Sequence, residues 1–432
     1  MSTRYNLTEF SLANPLYIGQ VAYFYTVSAG VRTTTLADLY TDTTGSMRLT
    51  NPQRLDREGK FAQPVYVQEP VIAVVGPEFS GGREYPIPAD PTGAGTIDDL
   101  VNWYNPPVNT IIAGYSTYNL GALSRAFRWD FDTGMLPLDV ADVDSYAYGI
   151  SGDGNVIVGT RYDAVTAPNY EAFSWTQAGG YVDLGYISGS AKTSTAHACS
   201  FDGSVIVGRS SIVGLGGVPF IRTVAGGMVA IEASTGVAYS VSEDGTVVAG
   251  ELYNNGTGKY YAFRWTQAGG VVDLGLLPGG TQSFGYGISG DGIVVVGMAH
   301  TNAAGTLYRA FRWTQAGGMV DLGTLGGVWS RAYACSLDGS VVVGQSTTAA
   351  GIWQPFRWTQ AGGMVALGLT DNLSVSSLGI SRDGTTIVGF GSFEGGLRHE
   401  AFRWTAATGV VALGTLGTIY NENSYGYGCA KI

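Results

Sequence analysis

Few side chains in this sequence are suited to acid–base or nucleophilic chemistry. There are three histidines, His197, His300 and His399, and three cysteines, Cys199, Cys335 and Cys429. Hydrolysis needs a base beside a nucleophile, or two carboxylates flanking one bond. Neither arrangement stands out. His197 occupies a repeat position that Tyr148, Tyr286 and Tyr333 fill elsewhere, so it reads as an aromatic packing variant. His300 and His399 fall in stretches expected to be loops, without a serine or aspartate partner at a telling spacing. The cysteines share one repeat position, held by Ile150, Ile288 and Ile380 in other copies. That suits small buried hydrophobes rather than disulfides or metal thiolates. Asp183, Asp273 and Asp321 recur through repetition, and no pair is singled out. No catalytic residue, metal site or cofactor is assigned. The reading is against an enzyme, with glycan hydrolysis by two carboxylates kept as an alternative.

The elements that must position these side chains come from a repeat. Ala-Phe-Arg-Trp-Thr, Gly-Gly-Met-Val-Asp-Leu-Gly, Ser-Tyr-Ala-Tyr-Gly-Ile-Ser and Asp-Gly-Ser-Val-Val-Val-Gly recur in that order. The tryptophan position falls at Trp129, Trp175, Arg222, Trp265, Trp313, Trp358 and Trp404, in steps of 46, 47, 43, 48, 45 and 46 residues. A period in the forties with four strand-like segments is the signature of propeller blades. In Ala310-Phe311-Arg312-Trp313-Thr314, Phe and Trp share a face with Arg opposite, as in a strand with one deeply buried side. Val341-Val342-Val343 has no alternation and is expected to be buried on both faces. Gly344 ends that run, which predicts close backbone approach or a bulge. Six copies carry Ser-x-Asp-Gly (Asp153, Asp202, Asp244, Asp291, Asp338 and Asp383), read as hairpins with primed turns rather than as calcium or catalytic carboxylates. The third copy has Phe220-Ile221-Arg222, so its sheet is expected to be irregular.

The last copy lacks its valine strand, whereas 109–116 supplies a matching one ahead of the first Phe-Arg-Trp. Seven of every strand type result only if the first segment completes the last blade. The fold expected is therefore all-β: a closed seven-bladed propeller over 108–432, preceded by a small all-β domain at 1–75 and a Pro/Gly-rich linker at 76–107. The composition agrees, with 13% charged residues, 65 glycines and 45% hydrophobic residues. A net charge of −11 argues against nucleic-acid binding. The polar start, Met1 to Asn6, predicts no secretory signal.

The loops between the valine strand and the Phe-Arg-Trp strand vary most between copies and are rich in aromatic residues. Tyr162, Tyr170, Tyr253, Tyr260, Tyr308, Trp353 and Phe393 are the candidate receptor-binding residues.

Two resemblances extend this reading. Arg309-Ala310-Phe311-Arg312-Trp313 and His399-Glu400-Ala401-Phe402-Arg403-Trp404 resemble the HAF family of extracellular repeats. Asn14-Pro15-Leu16-Tyr17-Ile18-Gly19-Gln20, Asn51-Pro52-Gln53 and Glu58-Gly59-Lys60 resemble the head-binding adaptor of podovirus tailspikes and tail fibres. The second resemblance implies a homotrimeric bacteriophage virion protein located in the tail. Its portal, adaptor or tail partners would be met by Tyr17, Ile18, Gly19, Gln20, Asn51, Pro52 and Gln53. The propeller would bind a host-surface glycan or protein, with no nucleic-acid partner. The alternatives are a bacterial secreted or surface propeller that binds its ligand, and a polysaccharide-degrading tailspike.

Overall fold

The computed structural model describes the backbone of strands between residues 5 and 87. It also describes residues 110–431, apart from 119–122, 131–132, 139–142, 164–168, 188–189, 370–375, 394–397 and 417–422. Two compact units separate between Pro106 and Pro107.

In the first unit, Val21–Ser28 pairs with Val31–Leu36, Val71–Val75 and Gln53–Arg54, and Val71–Val75 pairs in turn with Arg83–Ile87. Arg83–Ile87 lies inside the stretch read from sequence as linker. Gln53 is in a strand; Tyr17, Ile18, Gly19, Gln20, Asn51 and Pro52 lie outside the described residues.

The second unit is all-β and propeller-like, built of repeated four-stranded antiparallel sheets, as expected from the repeat. Thr110–Tyr118 sits between Leu123–Asp130 and Ser424–Lys431, so one sheet is made from both ends of the unit. The next sheet runs Ser145–Ile150, Ile157–Asp163, Asn169–Thr176, Gly180–Gly185 in chain order. Later sheets repeat this order from Ser190–Cys199, Gly236–Val241, Ser283–Ile288, Gly326–Cys335 and Ser376–Ile380. The first strand of each sheet packs beside the first strand of the next. Ser376–Ile380 meets Ser424–Lys431, which meets Ser145–Ile150, so these inner strands surround a common axis.

Between the sheets lies the core. Phe127, Phe173, Phe220, Phe263, Phe311, Phe356 and Phe402 are all fully buried. Each phenylalanine is neighboured in sequence by a buried alanine or proline, so both faces of this strand are covered, not one as the alternation implied. The valine run is buried throughout at Val341, Val342 and Val343. Gly344 ends it where a Cβ would fall 1.9 Å from the Arg331 carbonyl oxygen, so only glycine lets the inner strand approach at its bulge. The third copy is regular: Phe220 fills one core cluster, and Ile221 packs against the next, with Val207, Val248 and Phe263.

The Ser-x-Asp-Gly turns differ from the primed type. Only the glycine, for example Gly245, has positive φ, and its N–H donates to the Ser242 carbonyl at 3.0 Å. This is a common four-residue turn followed by a left-handed glycine. The serine and aspartate lock it. Ser242 Oγ donates to Asp244 Oδ1 at 2.6 Å and accepts the Val247 N–H at 3.0 Å.

Candidate functional site

The inner strands carry one aromatic side chain at nearly every copy of a single repeat position, and these rings meet around the axis. Tyr427 contacts Tyr148 (5.4 Å between centroids), Tyr148 contacts His197 (5.6 Å), and His197 contacts Tyr239 (5.3 Å). Tyr239 then contacts Tyr286 (5.3 Å), and Tyr286 contacts Tyr333 (5.6 Å). Leu378 holds the position in the remaining copy. The repeat register carried this ring in outline, because it aligned His197 with Tyr148, Tyr286 and Tyr333. What the register lacked was the closure that brings residues nearly 280 positions apart into one circle.

Rows of rings run outward from this circle. One is Tyr148, Tyr146, Tyr170 and Tyr162, at successive distances of 6.4, 6.0 and 5.4 Å. Another is Tyr286, Phe284, Tyr260 and Tyr253, at 6.4, 5.8 and 5.1 Å. A third group joins Tyr308, Trp329 and Trp353 at 6.3 Å each. Six of the aromatic residues singled out in the sequence thus form the outer parts of radial rows, each pairing across a hairpin or a neighbouring strand. Phe393 joins no row and packs, as Trp353 also does, against the core cluster of Val343, Ile387 and Phe402. Sequence reading missed Tyr146 and Phe284, the links between ring and loops, and Trp329, which joins Tyr308 to Trp353. Their alternation with the axial tyrosines along one strand was the available signal.

Beside the first row is a cavity of about 370 Å³, lined by Tyr146, Tyr148, Tyr170, Thr160, Thr193, Ser194, Thr195, Arg209 and Ser211. Arg209 is exposed, on the second strand of its sheet, one residue after the glycine of close approach. Its chain lies over Gly217, where a Cβ would fall 2.5 Å from Cδ. Hydroxyls, tyrosine faces and one guanidinium make this wall able to hold a polar ring bearing a negative charge.

Neighbouring ionisable groups are tuned by the same setting. Burial, opposed by the Tyr239 hydroxyl and the Arg209 charge, raises Glu251 to about 7. Burial, with the Arg209 charge, lowers His197 to about 4, so it is neutral at physiological pH. Burial, with neighbouring tyrosines and Asp144, raises Tyr170 to about 12.

The other residues weighed from sequence lie elsewhere. His300 and His399 are within strands, not loops: His300 ends Val294–His300 and His399 lies in Arg398–Thr405. Thr281 Oγ1 lies 3.3 Å from His300 Nδ1, and Ser392 Oγ lies 3.3 Å from His399 Nδ1. Asp183, Asp273 and Asp321 sit on the outermost strands. Asp183 takes a bidentate contact from Arg161 at 2.8 and 2.7 Å, while Asp273 and Asp321 accept N–H groups of their own turns at 2.8 Å. Cys199, Cys335 and Cys429 are in no disulfide and pack against core clusters, and burial pushes Cys335 up to about 12.

At the other end of the inner strands, the Ser-x-Asp-Gly turns meet across the axis. The Phe201 N–H donates to Glu243, the Glu243 N–H to Gly290 and the Leu337 N–H to Arg382, each to the carbonyl at 2.9 Å. Arg382 Nη2 donates to Glu243 Oε2 at 2.6 Å, and its guanidinium lies 4.5 Å from the Phe201 ring centroid.

No family model matches the chain, and no curated protein matches it. Solved structures do. TolB from Acinetobacter baumannii is 12% identical, with a TM-score of 0.44 over 82% of this chain and 79% of that one. An oligogalacturonate lyase in complex with manganese is 13% identical, with a TM-score of 0.46 over 72% and 86%. The periplasmic gluconolactonase of Pseudomonas aeruginosa is 16% identical, with a TM-score of 0.41 over 74% and 98%. These comparisons correct the reading drawn from the two resemblances. Of these three, two are named from bacteria, one of them as periplasmic, two are named as enzymes, and none is named as a virion component. The tail-fibre assignment is withdrawn, together with the adaptor and HAF family readings, the trimer, the phage and host-receptor partners and the virion location. The reading against an enzyme is withdrawn with it, since enzymes stand among the similar structures.

Proposed function

We propose that this chain is an exported bacterial propeller protein that binds an acidic saccharide on the face carrying the aromatic rows. In this reading, residues 108–432 form seven blades, closed by the strand near 109–116, behind a small β domain. The exported bacterial setting is the alternative already weighed from the sequence, and of the proteins named above the gluconolactonase is named as periplasmic.

One observation carries the ligand class. The cavity beside Tyr146, Tyr148 and Tyr170 combines tyrosine faces, several hydroxyls and the exposed Arg209 guanidinium. Tyrosine rings present apolar faces with polar edges, which suit the faces of a sugar ring. Hydroxyls exchange hydrogen bonds with sugar hydroxyls, and a guanidinium pairs with a carboxylate in a fork geometry. A rigid ring holds these groups in fixed relation, so little entropy is lost on binding.

The test is calorimetric titration of the full chain with galacturonate and with galactose. Galacturonate should bind and galactose should bind more weakly. Arg209→Ala should weaken galacturonate binding by roughly 10- to 100-fold, the range for a lost charged hydrogen bond of about 1.5–3 kcal/mol. Equal affinity for both sugars, or no effect of the variant, would overturn the reading.

Turnover of the bound sugar is a second reading, favoured by Glu251. It is half-buried beside Tyr239 and the Arg209 charge and holds its proton up to about 7, a range suited to proton transfer. Incubating oligogalacturonate with the full chain and following new reducing ends tests this directly. Cleavage abolished by Glu251→Gln supports catalysis; an unchanged polymer rejects it.

A further inference from the structure

We infer that the same face carries a second anion-recognising subsite, formed by Arg331 with Tyr308, Trp329 and Trp353, and that the ligand is therefore an acidic oligosaccharide. This rests on the saccharide reading above and adds a length to the ligand.

The group is built, not incidental. The Trp329 ring is within 26° of parallel to Tyr308 and within 14° of parallel to Trp353. Trp329 Nε1 donates to the Thr306 carbonyl at 2.9 Å, which fixes the indole. The Arg331 guanidinium lies 4.7 Å from the Tyr308 centroid and 5.9 Å from that of Trp353, and its Nη2 donates to Tyr308 Oη at 2.9 Å. Arg331 Nε has no hydrogen-bond partner, and among the described residues no carboxylate forms an ion pair with this guanidinium. A cation held by aromatic faces without a counter-charge is prepared for an anionic ligand.

The repeat strengthens the case, because this sheet departs from it at two positions. Where it has Arg331, three other copies have Tyr146, Phe284 and Tyr425 and three have Thr195, Val237 and Ser376, so no other copy places a charge there. Where it has Trp329, three others have Asp144, Gln282 and Asn423, whose side chains accept the backbone N–H of Ser124, Tyr260 and His399 respectively, and two have Thr193 and Thr235. In this sheet a parallel backbone bridge between Tyr308 and Trp329 joins the neighbouring strands. The side-chain position is released from that structural task and is given to an indole.

The arrangement links inward. Tyr333, two residues after Arg331, belongs to the axial ring and accepts a hydrogen bond from Gln345 Nε2 at 2.9 Å. Arg209 and Arg331 therefore belong to different sheets joined by one ring of aromatic contacts, a layout for a chain with more than one carboxylate.

Calorimetry on the full chain with galacturonate and trigalacturonate tests this. The trimer should bind at least tenfold more tightly than the monomer. Arg331→Ala should erase that gain and leave monomer affinity unchanged, whereas Arg209→Ala should weaken both. Trp329→Gln, which installs the residue found at the equivalent Gln282, should also erase the gain while keeping the wild-type circular dichroism spectrum. Equal affinity for monomer and trimer, or a gain that survives Arg331→Ala and Trp329→Gln, would overturn the subsite and leave the Arg209 reading standing. Failure of both ligands to bind would overturn both.

Discussion

The two ends of the inner strands are built from the same repeat and have diverged in opposite ways. At the turn end, six copies keep Ser-x-Asp-Gly, and the varied x residues pair with one another: Arg382 reaches Glu243 and covers Phe201. At the other end, Arg209 stands among rings and hydroxyls with Glu251 nearby, and Arg331 lies against the Tyr308 ring with no carboxylate ion pair among the described residues. Paired charges and locked turns hold sheets together; an uncompensated cation beside aromatic faces costs stability and is expected where a ligand supplies the missing charge. The difference teaches that repetition marks the scaffold, and departures from it mark the site.

The comparison breaks first if the scaffold does not depend on its closing strand. Deleting residues 107–116 removes the partner of Ser424–Lys431 and of Leu123–Asp130, exposing fully buried Phe127. Insolubility or loss of a cooperative thermal transition should follow; an unchanged melting temperature contradicts ring closure.

At the ligand end, the pH response sharpens the contrast. Glu251 holds its proton more tightly folded than unfolded, with burial raising it from 4.5 to about 7. It therefore stabilises the fold below about 4.5, and that contribution is lost as pH rises to about 7. Melting temperatures of wild type should fall relative to Glu251→Gln across this window, by up to about 3 kcal/mol in stability. His197 shifts in the opposite sense and cancels in the difference, being present in both proteins. A constant offset between the two would show that Glu251 is not perturbed.

The turn end should respond with stability alone. Ser242→Ala leaves the buried Val247 N–H without its acceptor and should cost about 1–3 kcal/mol by denaturant unfolding. Galacturonate affinity should be unchanged, and a matching loss of affinity would mean that the two ends are not separable.

Much of this architecture was legible beforehand, for local reasons. Period-two alternation, apolar runs and Asp-Gly punctuation each report on a strand or a turn a few residues long, and a repeat states them several times over. The turn geometry was misread at the same scale, because Asp-Gly serves both the primed turn, where both residues are central with positive φ, and the turn found here, where Gly closes the turn and alone has positive φ. Loop aromatics such as Tyr162, Tyr170, Tyr253 and Tyr260 were visible as a class; their alignment behind Tyr146 and Phe284 was not.

The sequence by itself determined the all-β repeat, its strands and the positions that fill its core, since each follows from side-chain periodicity against a single buried interface. Only the tertiary structure decided which repeat positions converge on the axis, that Arg209 comes beside Glu251, and that Arg331 makes no carboxylate ion pair among the described residues. The physical reason is range. Burial and turn preference act on neighbours in the chain, whereas the aromatic circle and the charges around it exist only after sheets hundreds of residues apart have been brought together.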